Sequence, residues 1–318
     1  MNNPSPLKKR YEEVLKRIGE AACRIGRRPE DIRLVAVTKY ARPEQIRELI
    51  QLGHADFGEN RVQNLTKRVA AIDEFLQRHH TLTSSRPVSI PDQVRWHMIG
   101  HLQRNKVKKV ANLVHLIHSV DTLRLAEEIQ EVALKQNCTI SVLVQVDAAR
   151  DPNKFGCHLS AVPHFAETIN TMIGLRFRGL MTMAPLTNNQ TKIRDTFLHC
   201  RDAFIEIRNS GLAGKYCNIL SMGMSADYET AIECGANLVR VGTAIFGQPE
   251  TNIQTPSQQT ENTTDQNINS HPNSDSTPNK KQNHKPKNKT KPADKNKKPD
   301  PPIATILPYQ NKIKTTRN

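Results

Sequence analysis

Lys39 ends the run LVAVTKY that occupies residues 34–40. The residues before it are apolar or β-branched, as in a strand buried on both faces. A lysine at the carboxyl end of such a strand carries a primary amine out of the core, where it can condense with a carbonyl compound as a Schiff base. A lysine there also serves simply to mark where a strand meets solvent, and the run alone does not separate the two readings. Two later segments, SMGMSADYE (221–229) and RVGTAIFG (240–247), shift the balance. Ser225 offers a hydroxyl and a cap for the helix that follows it. Gly242 and Thr243 allow close backbone approach and add a second hydroxyl, the requirements of an anion site at a helix start. Arg240 alternates with Val239 and Val241, so an otherwise apolar strand projects a guanidinium that needs a partner. A carboxylate in the core, a heteroaromatic nitrogen or an anionic ligand would each satisfy it.

These residues have chemical meaning only if strands position them. An amphipathic pattern through Leu7, Tyr11, Val14, Leu15 and Ile18 predicts an opening helix that ends near Gly26. Strands are expected at 33–39, 55–58, 95–99, 113–119, 140–147, 175–183, 217–222 and 238–241, each flanked by helical stretches; one of these helices starts near Pro43. Strict alternation implies a parallel sheet, and eight units in about 250 residues favour a closed (β/α)8 barrel. No GxGxxG follows a strand, which leaves a dinucleotide site unsupported. In a barrel the site lies at the carboxyl ends of the strands, with phosphate commonly held after strands seven and eight. Lys39, Ser225, Arg240, Gly242 and Thr243 all fall there. The polar segment HHTLTSSRPVSIPD, interrupted by Pro87 and Pro91, is expected to be an inserted surface loop within 77–92, on the opposite side from that mouth.

Composition divides the chain at residue 248. Residues 249–318 carry 12 Lys and Arg against 6 Asp and Glu among Asn, Pro, Thr and Gln. Such a segment buries too little apolar surface to offset its ordering entropy, so a disordered basic tail is expected after a 1–248 barrel domain, with one short apolar element at 303–309. The total charge of +15 invites nucleic-acid binding, but no helix-turn-helix, aromatic RNA-reading motif or zinc-finger spacing accompanies it. The lysines at 106–109 and 295–298 are read as solvated faces. Six scattered cysteines without a CxxC pair are read as reduced thiols of a cytoplasmic protein, with Cys157 open to oxidation only if exposed. No apolar stretch matches a signal peptide or a membrane span. His97 and His101 lack the HExxH glutamate and a third ligand, so no metal is expected.

The ordered motifs LVAVTK, HADFGENRVQ, WHMIGHLQRNKVK, HSVDTLRLAEEI, RGLMTMAP, LSMGMSADYETAI and VRVGTAIFG resemble those of the pyridoxal phosphate homeostasis protein family. That family is related in fold to the barrel domain of alanine racemase, and the resemblance covers residues 7–248. It implies a barrel of the alanine racemase N-terminal type that binds pyridoxal 5'-phosphate as a Schiff base on Lys39. It implies that Ser225, Gly242 and Thr243 hold the phosphate and that Arg240 faces the pyridine nitrogen. Asn60, Met98 and Met222, at strand ends, are expected to border the ring. Thr38 stands where serine is common in the family.

An arginine opposite the ring nitrogen disfavours its protonation and weakens the electron sink that catalysis on this cofactor needs. Racemases offset this with paired bases, one of them a tyrosine from a second domain, and no residue here is read as its counterpart. The expectation is therefore a monomeric carrier that keeps vitamin B6 balance and hands cofactor to apo-enzymes, with no catalytic residue assigned. Two other readings stay open: an amino-acid racemase or decarboxylase, which α-proton exchange in deuterated water would reveal, and an RNA-binding or scaffold protein acting through its basic tail, whose binding would fall steeply with salt.

Overall fold

The computed structural model describes residues 4–82, 90–149 and 155–248. The tail expected from 249, with its 303–309 element, lies outside them. Helix α1 (Pro6–Arg24) opens the fold: the Ser5 side chain accepts from the Lys8 N–H at 3.0 Å and Pro6 occupies the first turn. Its buried stripe of Leu7, Tyr11, Val14, Ile18, Ala21 and Ala22 recurs every three or four residues. Strands β1 (Arg33–Val37), β2 (Asp56–Glu59), β3 (Arg95–Met98), β4 (Leu116–Val120) and β5 (Ile140–Asp147) follow, interleaved with α2 (Pro43–Gln51), α3 (Val62–Leu82), α4 (Val107–Val110) and α5 (Leu123–Lys135). A two-residue strand, β6 (Cys157–His158), pairs with the end of β5. Helix α6 (Val162–Thr171), β7 (Leu175–Met181), α7 (Gln190–Asn209), β8 (Ile219–Ser221), α8 (Tyr228–Glu233), β9 (Leu238–Val241) and α9 (Thr243–Phe246) complete the body.

Eight strands form a closed parallel ring in the order β1-β2-β3-β4-β5-β7-β8-β9, with β9 returning to β1. All eight expected strands are present, and β6 lies outside the ring. Helix α1 packs against α8 and α9, so the first helix covers the last units; Arg17 and Arg24 reach Glu229, and Arg24 also reaches Glu233 at 3.0 Å. One expectation is corrected. The 77–92 segment does not begin as a loop, because α3 runs on through Leu82; its buried Leu65, Val69, Ile72 and Leu76 keep a helical period up to that point. Residues 83–89 lie outside the described set.

Side chains alternate between the barrel interior and the layer beneath the helices. Val35, Leu116, Leu143, Met181, Ile219 and Leu238 form the interior apolar cluster, while Leu34, Ala36, Phe57, Val142, Val144 and Val239 join the larger cluster that contacts the helices. On β7 a bulge adjusts this parity: Phe177 pairs with Val142 but Gly179 pairs with Leu143, so Arg178 is extra. Gly179 adopts φ +137°, and a Cβ there would lie 1.9 Å from the Ile219 carbonyl oxygen.

The interior also carries a file of polar groups. At the amino-terminal end, the Asp56 carboxylate accepts from Arg33 at 3.1 and 3.2 Å and from Arg95 at 2.8 and 2.6 Å. His97 Nε2 lies 3.0 Å from Asp56 Oδ1, His97 Nδ1 lies 3.0 Å from His118 Nε2, and His118 Nδ1 lies 3.0 Å from Ser221 Oγ. Burial alone would raise the Asp56 carboxyl, but hydrogen bonds from Arg95 and His97 overcome it and hold the group well below the usual carboxylate range. Burial pushes His54 and His115 down to about 4 and lowers His97 and His118 as well.

Two predictions follow from these interior contacts. Below about pH 6.5 the unfolded chain takes up protons on these four histidines, whereas in the folded barrel each stays neutral to lower pH, His54 and His115 to about 4, so stability falls as pH drops, by up to about 1.4 kcal/mol per pH unit for each ring. Asp56 adds a further loss once the unfolded carboxyl begins to protonate below about pH 4. Urea midpoints measured downward from neutral pH should fall steadily, and a flat profile would mean that the rings are charged or solvated in the native state. Gly179→Ala should destabilise by about 4 kcal/mol or more, because neither the dihedral nor the Ile219 backbone can give way cheaply; a urea midpoint near the wild-type value would show that the bulge relaxes.

Candidate functional site

The carboxyl ends of the strands surround a cavity of about 500 Å³. Lys39 reaches it from the end of β1, with its Nζ 4.6 Å from the centre of the Tyr40 ring. The backbone beneath the lysine is held through Thr38, whose hydroxyl lies 3.1 Å from the Gly58 carbonyl oxygen and 3.0 Å from Glu59 Oε2 and shares its one proton between these acceptors. Glu59 is fully buried; it pairs with Arg68 at 2.9 Å and accepts from the Asn60 N–H at 2.9 Å. A buried carboxylate with these partners is compensated, and it braces the strand end that presents the amine.

Asn60 extends β2 into the cavity, and its Oδ1 is buried without a hydrogen-bond partner. Such an orphaned acceptor costs free energy unless something donates to it. Gly100 makes this approach possible, since a Cβ at that position would lie 2.2 Å from the Asn60 carbonyl oxygen.

Across the mouth, Ser225 Oγ accepts from the backbone N–H groups of Gly242 at 3.1 Å and Ala244 at 3.3 Å. Ser225 therefore does not cap α8, as expected from the sequence; Asp227 occupies that position, and the serine is drawn to the first turn of α9. Ser225, Gly242 and Thr243 line one edge of the cavity, where two hydroxyls and, once released from Ser225 Oγ, the Gly242 and Ala244 N–H groups form a donor set that suits a phosphate.

Arg240 is buried inside the barrel yet borders the same cavity. It donates to Ser221 Oγ at 2.5 Å and to the Thr182 carbonyl at 2.9 Å. Among the described residues no carboxylate forms an ion pair with it, so the structural account that would give Arg240 a carboxylate partner fails. Burial pushes the guanidinium down to about 10, with Asp227 opposing the shift from a distance. It remains charged at neutral pH and confronts the cavity with N–H donors alone.

Of the residues expected to form the site, Lys39, Asn60, Ser225, Arg240, Gly242 and Thr243 line one cavity. Met222 and Met98 do not. Both are fully buried in the cluster beneath the helices rather than at the mouth, because Ser221 and His97 take the inward positions beside them. Met224 and Met183 line the cavity instead; Met183 keeps the inward parity of Met181 two residues before it, whereas Met224 shares the parity of Met222 and reaches the mouth only after the chain turns at Gly223, φ +89°. His101 stacks on Phe155 with ring centroids 4.2 Å apart and lies 3.2 Å from Asp121, so it does not join His97. Cys157 is buried, and burial pushes its thiol up to about 12, which removes the condition for its ready oxidation. All six cysteines are free thiols. No helix among the described residues is long and apolar enough to cross a membrane.

Residues 20–249 match the family described as "Alanine racemase, N-terminal domain". A pyridoxal phosphate homeostasis protein of Aquifex aeolicus is 36% identical over 240 residues, covering 75% of this chain and 96% of the relative. A solved protein of Bifidobacterium adolescentis is 36% identical with a TM-score of 0.68, over 76% of this chain and 94% of its own. PipY of Synechococcus elongatus, solved with pyridoxal phosphate bound to it, is 29% identical with a TM-score of 0.60, over 74% of this chain and 100% of its own. Sequence match and barrel topology agree over the whole body, and the chain belongs to the pyridoxal phosphate homeostasis protein family, within the alanine racemase N-terminal domain fold.

Proposed function

We propose that this protein binds pyridoxal 5'-phosphate in the mouth of the barrel, covalently on Lys39, and acts as a cytoplasmic carrier rather than a catalyst. The observation that carries the reading is a free lysine amine and a buried guanidinium without a carboxylate partner, facing one cavity. Names of curated relatives and the cofactor-bound PipY support the ligand. When bound, the cofactor supplies an aldehyde and an electron-accepting ring. Lys39 Nζ would supply the primary amine that condenses with this aldehyde, with loss of water. The Ser225 and Thr243 hydroxyls, with the Gly242 and Ala244 N–H groups released from Ser225 Oγ, would hold the phosphate. Asn60 Oδ1 gains a donor from the ligand or from Lys39.

Arg240 gives the site its character. Its N–H groups would donate to a ring nitrogen and leave it unprotonated, which would weaken the ring as an electron sink. The titratable side chains lining the cavity among the described residues are Lys39, Tyr40, His101 and Arg240; His101 is already stacked on Phe155 and engaged with Asp121. Among the described residues no pair of bases faces Lys39 from opposite sides. Holding a reactive aldehyde out of solution while leaving it transferable fits this arrangement better than carbanion chemistry. Apo-enzymes that need the cofactor are the proposed acceptors, and the six free thiols suit a reducing compartment.

Purified protein mixed with pyridoxal phosphate should develop a visible absorption band that survives dialysis. Lys39→Ala should lose the band and bind at least about a hundredfold more weakly, a cost of roughly 2.7 kcal/mol. An unchanged band in Lys39→Ala would place the covalent bond on another lysine. Loaded protein mixed with an apo-enzyme, beside a trap for free cofactor, should restore activity faster than the same concentration of released cofactor; equal rates would rule out direct transfer.

A further inference from the structure

We infer that Asp56, His97, His118 and Ser221 form a one-way hydrogen-bond relay through the barrel that positions Arg240 and sets its polarity toward the ligand. This rests on the proposed binding of pyridoxal phosphate opposite Arg240. The relay spans four contacts: Asp56 Oδ1 to His97 Nε2, His97 Nδ1 to His118 Nε2, His118 Nδ1 to Ser221 Oγ, and Ser221 Oγ to Arg240. His97, His118 and Ser221 have no solvent contact, so water does not complete their hydrogen bonding.

The two ends determine every proton between them. Arg240 can only donate, and an ionised Asp56 can only accept. Asp56 therefore takes the Nε2 proton of His97, which leaves His97 Nδ1 as an acceptor. His118 must then donate from Nε2, leaving its Nδ1 to accept the Ser221 hydroxyl proton. That hydroxyl oxygen accepts from Arg240. Each neutral ring has one donor and one acceptor, and both are used in a single direction from mouth to base.

The surrounding charges favour this arrangement. Arg33 and Arg95 flank Asp56 and keep it ionised. His115 lies edge-on to His97 with centroids 5.8 Å apart, and a second positive ring beside these arginines would be repelled. Asp227 influences Arg240 through space without pairing with it. The acceptors for Arg240 are thus a neutral hydroxyl and the Thr182 carbonyl, and the negative charge that organises the file lies at its far end. Aligned hydrogen bonds polarise one another in a low-dielectric interior. Arg240 is held from behind by this polarised hydroxyl while its cavity-facing donors stay free, without the nearby carboxylate that would compete for them. Asp56, His97, His118 and Ser221 are positioning residues.

Ring-nitrogen chemical shifts in the intact nitrogen-15-labelled protein test the proton assignment without mutation. His97 and His118 should both be neutral and protonated at Nε2 at pH 7, with and without added pyridoxal phosphate; a proton on Nδ1 of either ring, or two protons, overturns the relay. Absorption of the bound cofactor against pH tests the coupling. Ser221→Ala, beside Arg240, and His97→Leu, which touches neither Arg240 nor Ser221, should each shift the pH midpoint of the band by about one unit, a tenfold change in proton affinity. The double variant should shift no further than Ser221→Ala alone, and His97→Gln, which can both donate and accept, should restore the wild-type profile. A shift in Ser221→Ala with none in folded His97→Leu would confine the effect to the serine and overturn the relay. Wild-type protein that shows no cofactor band would instead remove the binding proposal on which the relay stands, even where the nitrogen shifts agree.

Discussion

Backbone pairing between the first and last strands closes the barrel, and the cavity depends on that seam. Arg33, Leu34, Val35 and Ala36 align with Leu238, Val239, Arg240 and Val241. The alignment puts Val35 and Arg240 in one inward layer and, two residues further on, sets Val37 against Gly242, so that Lys39 just beyond borders the same cavity as Gly242 and Thr243. Residues some two hundred positions apart thereby come to share one wall. Helix α1 reinforces closure by packing on α8 and α9 from outside, with Arg10 donating to the Ile245 carbonyl at 2.8 Å. Neither the amine nor the Gly242–Thr243 turn would form a site on an open sheet whose first and last strands were separate edges.

Closure also creates an enclosed interior that has to be filled. Six apolar side chains occupy part of it, and a file of ionised and neutral polar groups occupies the rest. Burying Asp56, two histidines and Arg240 carries a desolvation cost that a wholly apolar filling would avoid. Every member of the file is compensated: Asp56 by two arginines and a histidine, each ring by two neighbours, Arg240 by a hydroxyl and a carbonyl. The opposite charges are thus kept apart, with Asp56 at the base and Arg240 at the mouth, and the cavity-facing side of Arg240 is left for a ligand.

The two networks near the mouth divide the work. One, outside the ring, ties Thr38 through Glu59 to Arg68 and fixes the strand end that presents Lys39. The other, inside the ring, holds Arg240. Between them the amine of Lys39 is exposed, while the guanidinium is buried and tied to Ser221 and Thr182. That contrast would suit the proposed carrier, whose covalent bond would have to form and reverse while the ring and phosphate are held.

Much of this was legible in the sequence because it is carried by local pattern. Alternating strand and helix signals located eight strands, the lysine at the end of LVAVTK marked its own position, and Ser225, Gly242 and Thr243 stood in the turns where a barrel collects anions. Local pattern failed where a result depended on parity or on distant partners. Met222 and Met98 were expected at the ring because they sit at strand ends, but one step along a strand turns a side chain from the cavity to the helix layer. Ser225 has the composition of a helix cap, yet nearby N–H groups of another turn claim it. His97 and His101 were read from the sequence as no metal site, but only the fold shows the His97 ring inside the barrel beside His118, with His101 on Phe155. The sequence by itself determined which strands form and which residue types stand at their ends. Tertiary structure decided the partners of each buried charge, because hydrogen bonds between residues as far apart as Asp56, His118 and Arg240 have no signature in the spacing of a linear chain.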